Sequence, residues 1–124
     1  MAPTIREALQ AALASQDEVA AVEERTEASR QRGCCAVSEL PDRRRATVSG
    51  VLRSVVLRPR EGVPTVEVEL YDGSGAIDLV WLGRRRIAGI EPGRRARAEG
   101  LVCEVDGRRT MFNPRYELLP RPGE

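Results

Sequence analysis

The chain has 124 residues, 41% of them hydrophobic, with 20 basic and 19 acidic side chains and no histidine; that length suits one domain with a modest core. No apolar run approaches the ~20 residues of a membrane-spanning helix, and the opening residues lack the apolar stretch of a secretory leader, so a cytoplasmic protein without membrane contact is expected. The net charge of +1 conceals a division: residues 1–42 carry four arginines against eight acids, a net of −4, and residues 43–124 carry sixteen against eleven, a net of +5.

Ile5, Ala8, Leu9, Ala12 and Leu13 recur at helical spacing over residues 4–14. Ser15 and Glu18 stand at capping-box spacing, and a second helix over about 16–32 is expected to end at Gly33. Its apolar face is thin, so residues 1–42 are read as an acidic helical arm. Packing or self-association through this arm is its leading role, and a flexible tail is the alternative.

Pro41 bars helix from the connector over 39–45. A long first strand over 45–58 follows, bent at Gly50, because a glycine inside a strand pattern marks a bulge or sharp bend. After a loop, residues 65–72 alternate, with Val66, Val68 and Leu70 on one face and Thr65, Glu67, Glu69 and Tyr71 on the other. Asp72-Gly73-Ser74-Gly75 turns the chain into a third strand. There Ile77, Leu79 and Trp81 face inward, while Asp78, Val80 and Leu82 face out.

Residues 84–93 break the strand rhythm and predict a short helical turn ended at Pro92-Gly93. A fourth strand contains Gly100, Asp106-Gly107 is a hairpin turn, and a fifth strand breaks at Asn113-Pro114. The order β-β-β-α-β-β predicts a mainly β protein: a five-stranded Greek-key barrel over 43–120, its edges hidden by closure, with an N-terminal helical arm and a tail at 121–124. An open sandwich competes, but usually needs about seven strands.

Asp72 with Gly75, Trp81 near the end of the third strand, Pro92-Gly93 before the fourth and Gly100 within it resemble the OB-fold of the anticodon-binding type. The pattern covers about residues 44–118. It is similar to domains of aminoacyl-tRNA synthetases and to the wedge domain of a branch-migrating bacterial helicase. The whole chain, with Trp81-Leu82-Gly83-Arg84-Arg85-Arg86 and the closing Asn113-Pro114-Arg115-Tyr116, resembles small stand-alone actinobacterial OB-fold proteins. This resemblance implies nucleic-acid binding through a cleft flanked by the first and fourth interstrand loops.

Such barrels join a basic groove to aromatic platforms, each stacked base contributing ~1–3 kcal/mol. The outward positions of the second and third strands instead hold Glu67, Glu69, Asp78 and Val80. Tyr71 is the remaining stacking candidate, and Trp81 belongs to the core by parity. Arginine, the sole basic residue type here, suits phosphates and base faces, although a GC-rich genome explains the missing lysine more simply. Arg58 and Arg60 in one loop, with Arg108 and Arg109 beside the hairpin turn, are placed to clamp a strand. The full expected contact set is Arg53, Arg58, Arg60, Tyr71, Arg84, Arg85, Arg108 and Arg109. A charge run is ordinarily a solvated face. If the clamp holds, affinity is modest and falls steeply with salt.

No enzyme is expected. The chain lacks histidine, the usual base near neutral pH, and has neither a phosphate-cradling GxxxxGK[ST] nor a GxSxG elbow. Cys34, Cys35 and Cys103 form no CxxC pair and fall short of a zinc ligand set, so reduced thiols, no metal and no cofactor are expected. The leading expectation is an OB-fold protein that binds single-stranded DNA or RNA through arginine-bearing loops. The alternative is a non-enzymatic protein-interaction module using the barrel and the arm. A third possibility has the −4 arm masking the +5 barrel.

Overall fold

The computed structural model describes residues 4–6, 18, 21 and 33–120. The arm helices expected over 4–14 and 16–32 lie outside these residues apart from isolated positions, as does the tail 121–124. A 3-10 turn at Val37–Glu39 precedes six strands: β1 Arg45–Leu57, β2 Thr65–Tyr71, β3 Ala76–Leu82, β4 Arg95–Val105, β5 Arg108–Phe112 and β6 Arg115–Leu118.

β1 is long enough to serve two neighbours. Its first half, Arg45–Val51, pairs antiparallel with β4, and its second half, from Val51 to Leu57, pairs antiparallel with β2. Gly50 makes the changeover possible. A Cβ there would stand 2.3 Å from the Tyr71 carbonyl oxygen, far inside van der Waals contact, so the end of β2 can lie against β1 only where no side chain intervenes.

β2 and β3 form an antiparallel ladder from Thr65–Leu82 to Tyr71–Ala76. β4 and β5 pair antiparallel, and β5 lies parallel to β3 through Asp78–Thr110, Leu79–Met111 and Val80–Phe112. That parallel pairing closes the ring β1-β2-β3-β5-β4. The result is the mainly β, five-stranded Greek-key barrel that the strand order predicts.

The break expected at Asn113-Pro114 divides the fifth strand in two. β5 pairs with the end of β4 and β6 with its start, Ala96–Glu99. At the break, Asn113 adopts φ 50°, and its side-chain Oδ1 accepts from the Leu82 N–H at 3.0 Å. The core is the inward set read from alternation: Val66, Val68, Leu70, Ile77, Leu79 and Trp81, joined by Val48, Leu52, Val102 and Met111. Trp81 donates its Nε1 hydrogen to the Pro114 carbonyl at 3.1 Å and meets Tyr116 edge-on, with centroids 5.7 Å apart. It is a core residue.

Two expectations need correction. The segment between β3 and β4 is not helical. Ile87 and Ile90 are buried at a helix-like spacing of three, but Gly89 takes φ 75°, outside the right-handed helical region. The segment therefore consists of turns, closed by Ile90 N–H to Ile87 O and Arg94 N–H to Glu91 O. Val80, expected on the exposed face, is 1% exposed. It does point outward, but it lies between Glu67 of β2 and Phe112 of β5, at the base of a groove described below.

The connector also contributes to the core, through Val37 and Leu40. Its anchor is Asp72, buried in the β2–β3 turn. One carboxylate oxygen accepts from the Ser74 N–H, the Ser74 hydroxyl and the Gly75 N–H at 2.7–3.1 Å. The other accepts from the Val37 N–H at 2.9 Å. A Cβ at Gly75 would press on Val37 Cγ1 at 3.3 Å. The turn thus holds both the hairpin and the incoming chain.

Among the described residues, no helix is long and apolar enough to cross a membrane. All three cysteines are free thiols. Burial pushes the Cys34 thiol pKa up, opposed by the neighbouring Arg97.

Candidate nucleic-acid interface

The outward side chains of the second half of β1, β2, β3 and β5 converge on one groove of about 320 Å³. Its base holds Val80 and the buried Thr110, with Val56 on one side. Strand alternation places Val80 and Thr110, each one step from a core residue on its own strand, whereas Val56 faces the groove because a register shift between Leu52 and Ser54 reverses the phase of β1.

Two tight turns set the walls. In the β1–β2 loop, Arg60 and Val63 exchange backbone N–H···O bonds of 2.9 Å in both directions. The central pair, Glu61 and Gly62, has φ 50° and 80°, the left-handed pair of a type I′ turn. Arg60 is thereby brought over β2, where its Nε donates to Glu67 Oε1 at 2.8 Å and its Nη2 donates to the same oxygen. Arg58 Nη1 stands 3.7 Å from Glu67 Oε2.

The opposite wall is the β4–β5 hairpin, whose Asp106-Gly107 turn has φ 51° and 78°. It delivers Arg108 to β3. There Nε and Nη2 donate to the two oxygens of Asp78 at 2.7 and 2.8 Å. This bidentate contact raises the Arg108 pKa above its ordinary value, through the hydrogen bond and then the charge of Asp78.

The groove is therefore lined by three guanidiniums, Arg58, Arg60 and Arg108, and four carboxylates, Glu67, Glu69, Asp78 and Asp106. Glu69 lies directly opposite Asp78 in the β2–β3 ladder, an arrangement that repels and that the fork of Arg108 on Asp78 offsets. Glu67 and Asp78, which stand where aromatic platforms are expected, are the residues that hold the arginines over the groove.

The other expected contact residues sit elsewhere. Arg53 lies over the Tyr71 ring, 3.4 Å from its centroid, a cation–π pair that covers one face of the stacking candidate. Arg109 turns away and donates to the Ser38 carbonyl at 3.2 Å. Arg84 and Arg85 are exposed after β3, and Arg85 borders an apolar hollow with Leu57, Pro59 and Pro64.

Phe112 is an aromatic residue the expected set omits. It pairs with Val80 across β3–β5 and is 37% exposed, so a ring borders the groove face. The alternation of β5 carries that signal, because an inward Met111 sends Phe112 outward.

Comparison with solved structures agrees with the barrel. The chain is similar to part of RecG, solved bound to a three-way DNA junction, at 20% identity and TM-score 0.54, covering 71% of this chain and 12% of that one. It is also similar to the replication factor A related protein of Methanobacterium thermoautotrophicum, at 15% identity and TM-score 0.53, covering 71% of this chain and 92% of that one. At these identities the likeness establishes the OB-fold. The chain spans only about an eighth of RecG. No protein-family model matches the chain, and no curated protein matches it.

Proposed function

We propose that this OB barrel binds single-stranded nucleic acid, DNA or RNA, along the groove over β2 and β3, without catalysis. The observation that carries the reading is convergence: strand ends beside two separate turns bring Arg58, Arg60 and Arg108 to one groove floored by Val80 and Thr110. Guanidinium forks match phosphate oxygens, and Phe112 and the Arg53–Tyr71 stack offer π-faces near the path of a strand. Binding of this kind is tolerant of sequence and sensitive to salt.

Fluorescence anisotropy of labelled DNA and RNA oligonucleotides, at low and physiological salt, tests the reading. Micromolar affinity in low salt is expected, lost in the Arg58/Arg60/Arg108→Ala protein. Absence of binding at micromolar protein in low salt, or binding indifferent to those substitutions, overturns it.

A second reading rests on the four groove carboxylates, which outnumber the guanidiniums. In it the barrel is a protein-interaction module and residues 1–42 mediate association. Sedimentation analysis then shows an oligomer that dissociates when the residues before Gly33 are removed, and no oligonucleotide binds. A monomer both before and after removal excludes self-association.

A further inference from the structure

We infer that Glu67 and Asp78 occupy, in the free protein, the positions taken by two consecutive phosphates of a bound single strand, and so set the affinity and salt response of the groove. The inference rests on the nucleic-acid reading above and deepens it.

Three observations carry it. First, each carboxylate receives the fork that a phosphate would receive: Arg108 gives Asp78 two donors at 2.7 and 2.8 Å, and Arg60 gives Glu67 two donors while Arg58 stands 3.7 Å away. Planar carboxylate and phosphate oxygens are interchangeable partners for this fork. Second, the spacing suits a strand. Glu67 pairs with Val80 and Asp78 with Glu69, so the two carboxylates are diagonal neighbours across β2–β3. That diagonal is about 7–8 Å, close to one phosphate repeat of an extended single strand. Third, the pairs are built to open. The cations stand at strand ends beside turns, and the side chains of Arg58, Arg60 and Arg108 are 65%, 44% and 58% exposed. The carboxylates are less exposed, Glu67 at 18% and Asp78 at 27%, so it is the guanidiniums that solvent screens and that are free to turn to another anion.

Binding is then an exchange. A phosphate takes the guanidinium, and the displaced carboxylate is left facing the groove, where it recruits a cation from solution. Part of the counterion release that normally drives binding is cancelled. Wild-type affinity and salt slope are both reduced relative to a groove whose carboxylates are neutral.

The test is oligothymidylate binding by anisotropy across a salt series, using the full chain. Glu67→Gln and Asp78→Asn keep the shape and remove the charge. Each is expected to tighten binding about fivefold, the ~1 kcal/mol of one exposed pair at tenfold per 1.4 kcal/mol. The double variant should approach a log–log salt slope of about −1.4, the value for two phosphate contacts on a single strand, with the wild type shallower. Glu117→Gln, on the opposite side of the barrel, controls for net charge, and circular dichroism confirms folding of each protein.

Unchanged or weaker binding by folded amide variants overturns the inference while leaving the nucleic-acid reading intact. Equal tightening by Glu117→Gln also overturns it, because the effect is then one of net charge. Failure of wild type and double variant alike to bind at low salt overturns both. Binding by the double variant where the wild type shows none supports both.

Discussion

The two outer faces of the barrel use the same residue types to different effect. On the face formed by β4, β6 and the first half of β1, arginine and glutamate meet in strand register: Arg97 opposite Glu117 and Glu99 opposite Arg115, with Arg45 3.8 Å from Glu99. Both partners are carried by strands, so the backbone ladder fixes their separation. Over β2 and β3 the carboxylates are again on strands, but the guanidiniums come from strand ends beside two turns: Arg58 and Arg60 follow β1, and Arg108 opens β5. These guanidiniums are solvent-facing, with side chains 44–65% exposed. The contrast is one of placement: one face pairs its charges along a ladder, and the other gathers them from two hairpin ends into one groove.

The contrast can be attacked first at the seam between the two faces. Gly50→Ala puts a Cβ against the Tyr71 carbonyl and should destabilise the barrel by about 3 kcal/mol, read by chemical denaturation. A cost under about 0.5 kcal/mol would mean that β1 does not need its close passage.

Next in size, Arg58/Arg60/Arg108→Ala should weaken oligonucleotide binding about a hundredfold, since hydrogen bonds to charged groups contribute about 1.5–3 kcal/mol before carboxylate competition is subtracted. Its stability should fall by no more than about 1 kcal/mol per exposed pair. Equal losses of binding and stability would make these arginines structural.

Asp72→Ala separates support from contact. It removes the acceptor of four hydrogen bonds and should cost about 2 kcal/mol, with groove affinity retained in the folded fraction. A thermal melt alongside anisotropy decides. The smallest effect belongs to the register-bound face: Arg115→Ala should change affinity less than about twofold and stability by about 0.5 kcal/mol or less. A larger loss of binding would place ligand contacts on both faces.

The alternation of Val66 to Leu70 and of Ile77 to Trp81 was enough to assign inside and outside, because a half-buried strand has a period of two and the core obeys it. The bend at Gly50 and the turn at Asp106-Gly107 were legible for similarly local reasons. The connector was not. Val37 and Leu40 are isolated apolar residues without a period, and their burial depends on Asp72, distant in sequence. Residues 84–93 misled because a stretch that breaks the strand rhythm and closes on Pro92-Gly93 fits successive turns as well as a helix. At the site, sequence placed Glu67 and Asp78 on the outer face but could not show which arginines would reach them. Those partners depend on how two loops reverse over a closed barrel, and Arg109, adjacent to Arg108, turns the other way.

The bond from the Val37 amide to Asp72 has a consequence for the acidic segment that precedes it. That bond fixes one end of the segment to the barrel, beside the β2–β3 turn. Masking of the barrel's arginines by the arm's carboxylates, the third possibility raised by the sequence, would therefore be an intramolecular competition and independent of protein concentration. Removing residues 1–32 is the test of such masking: tighter oligonucleotide binding at every protein concentration is expected from it, and unchanged affinity excludes it.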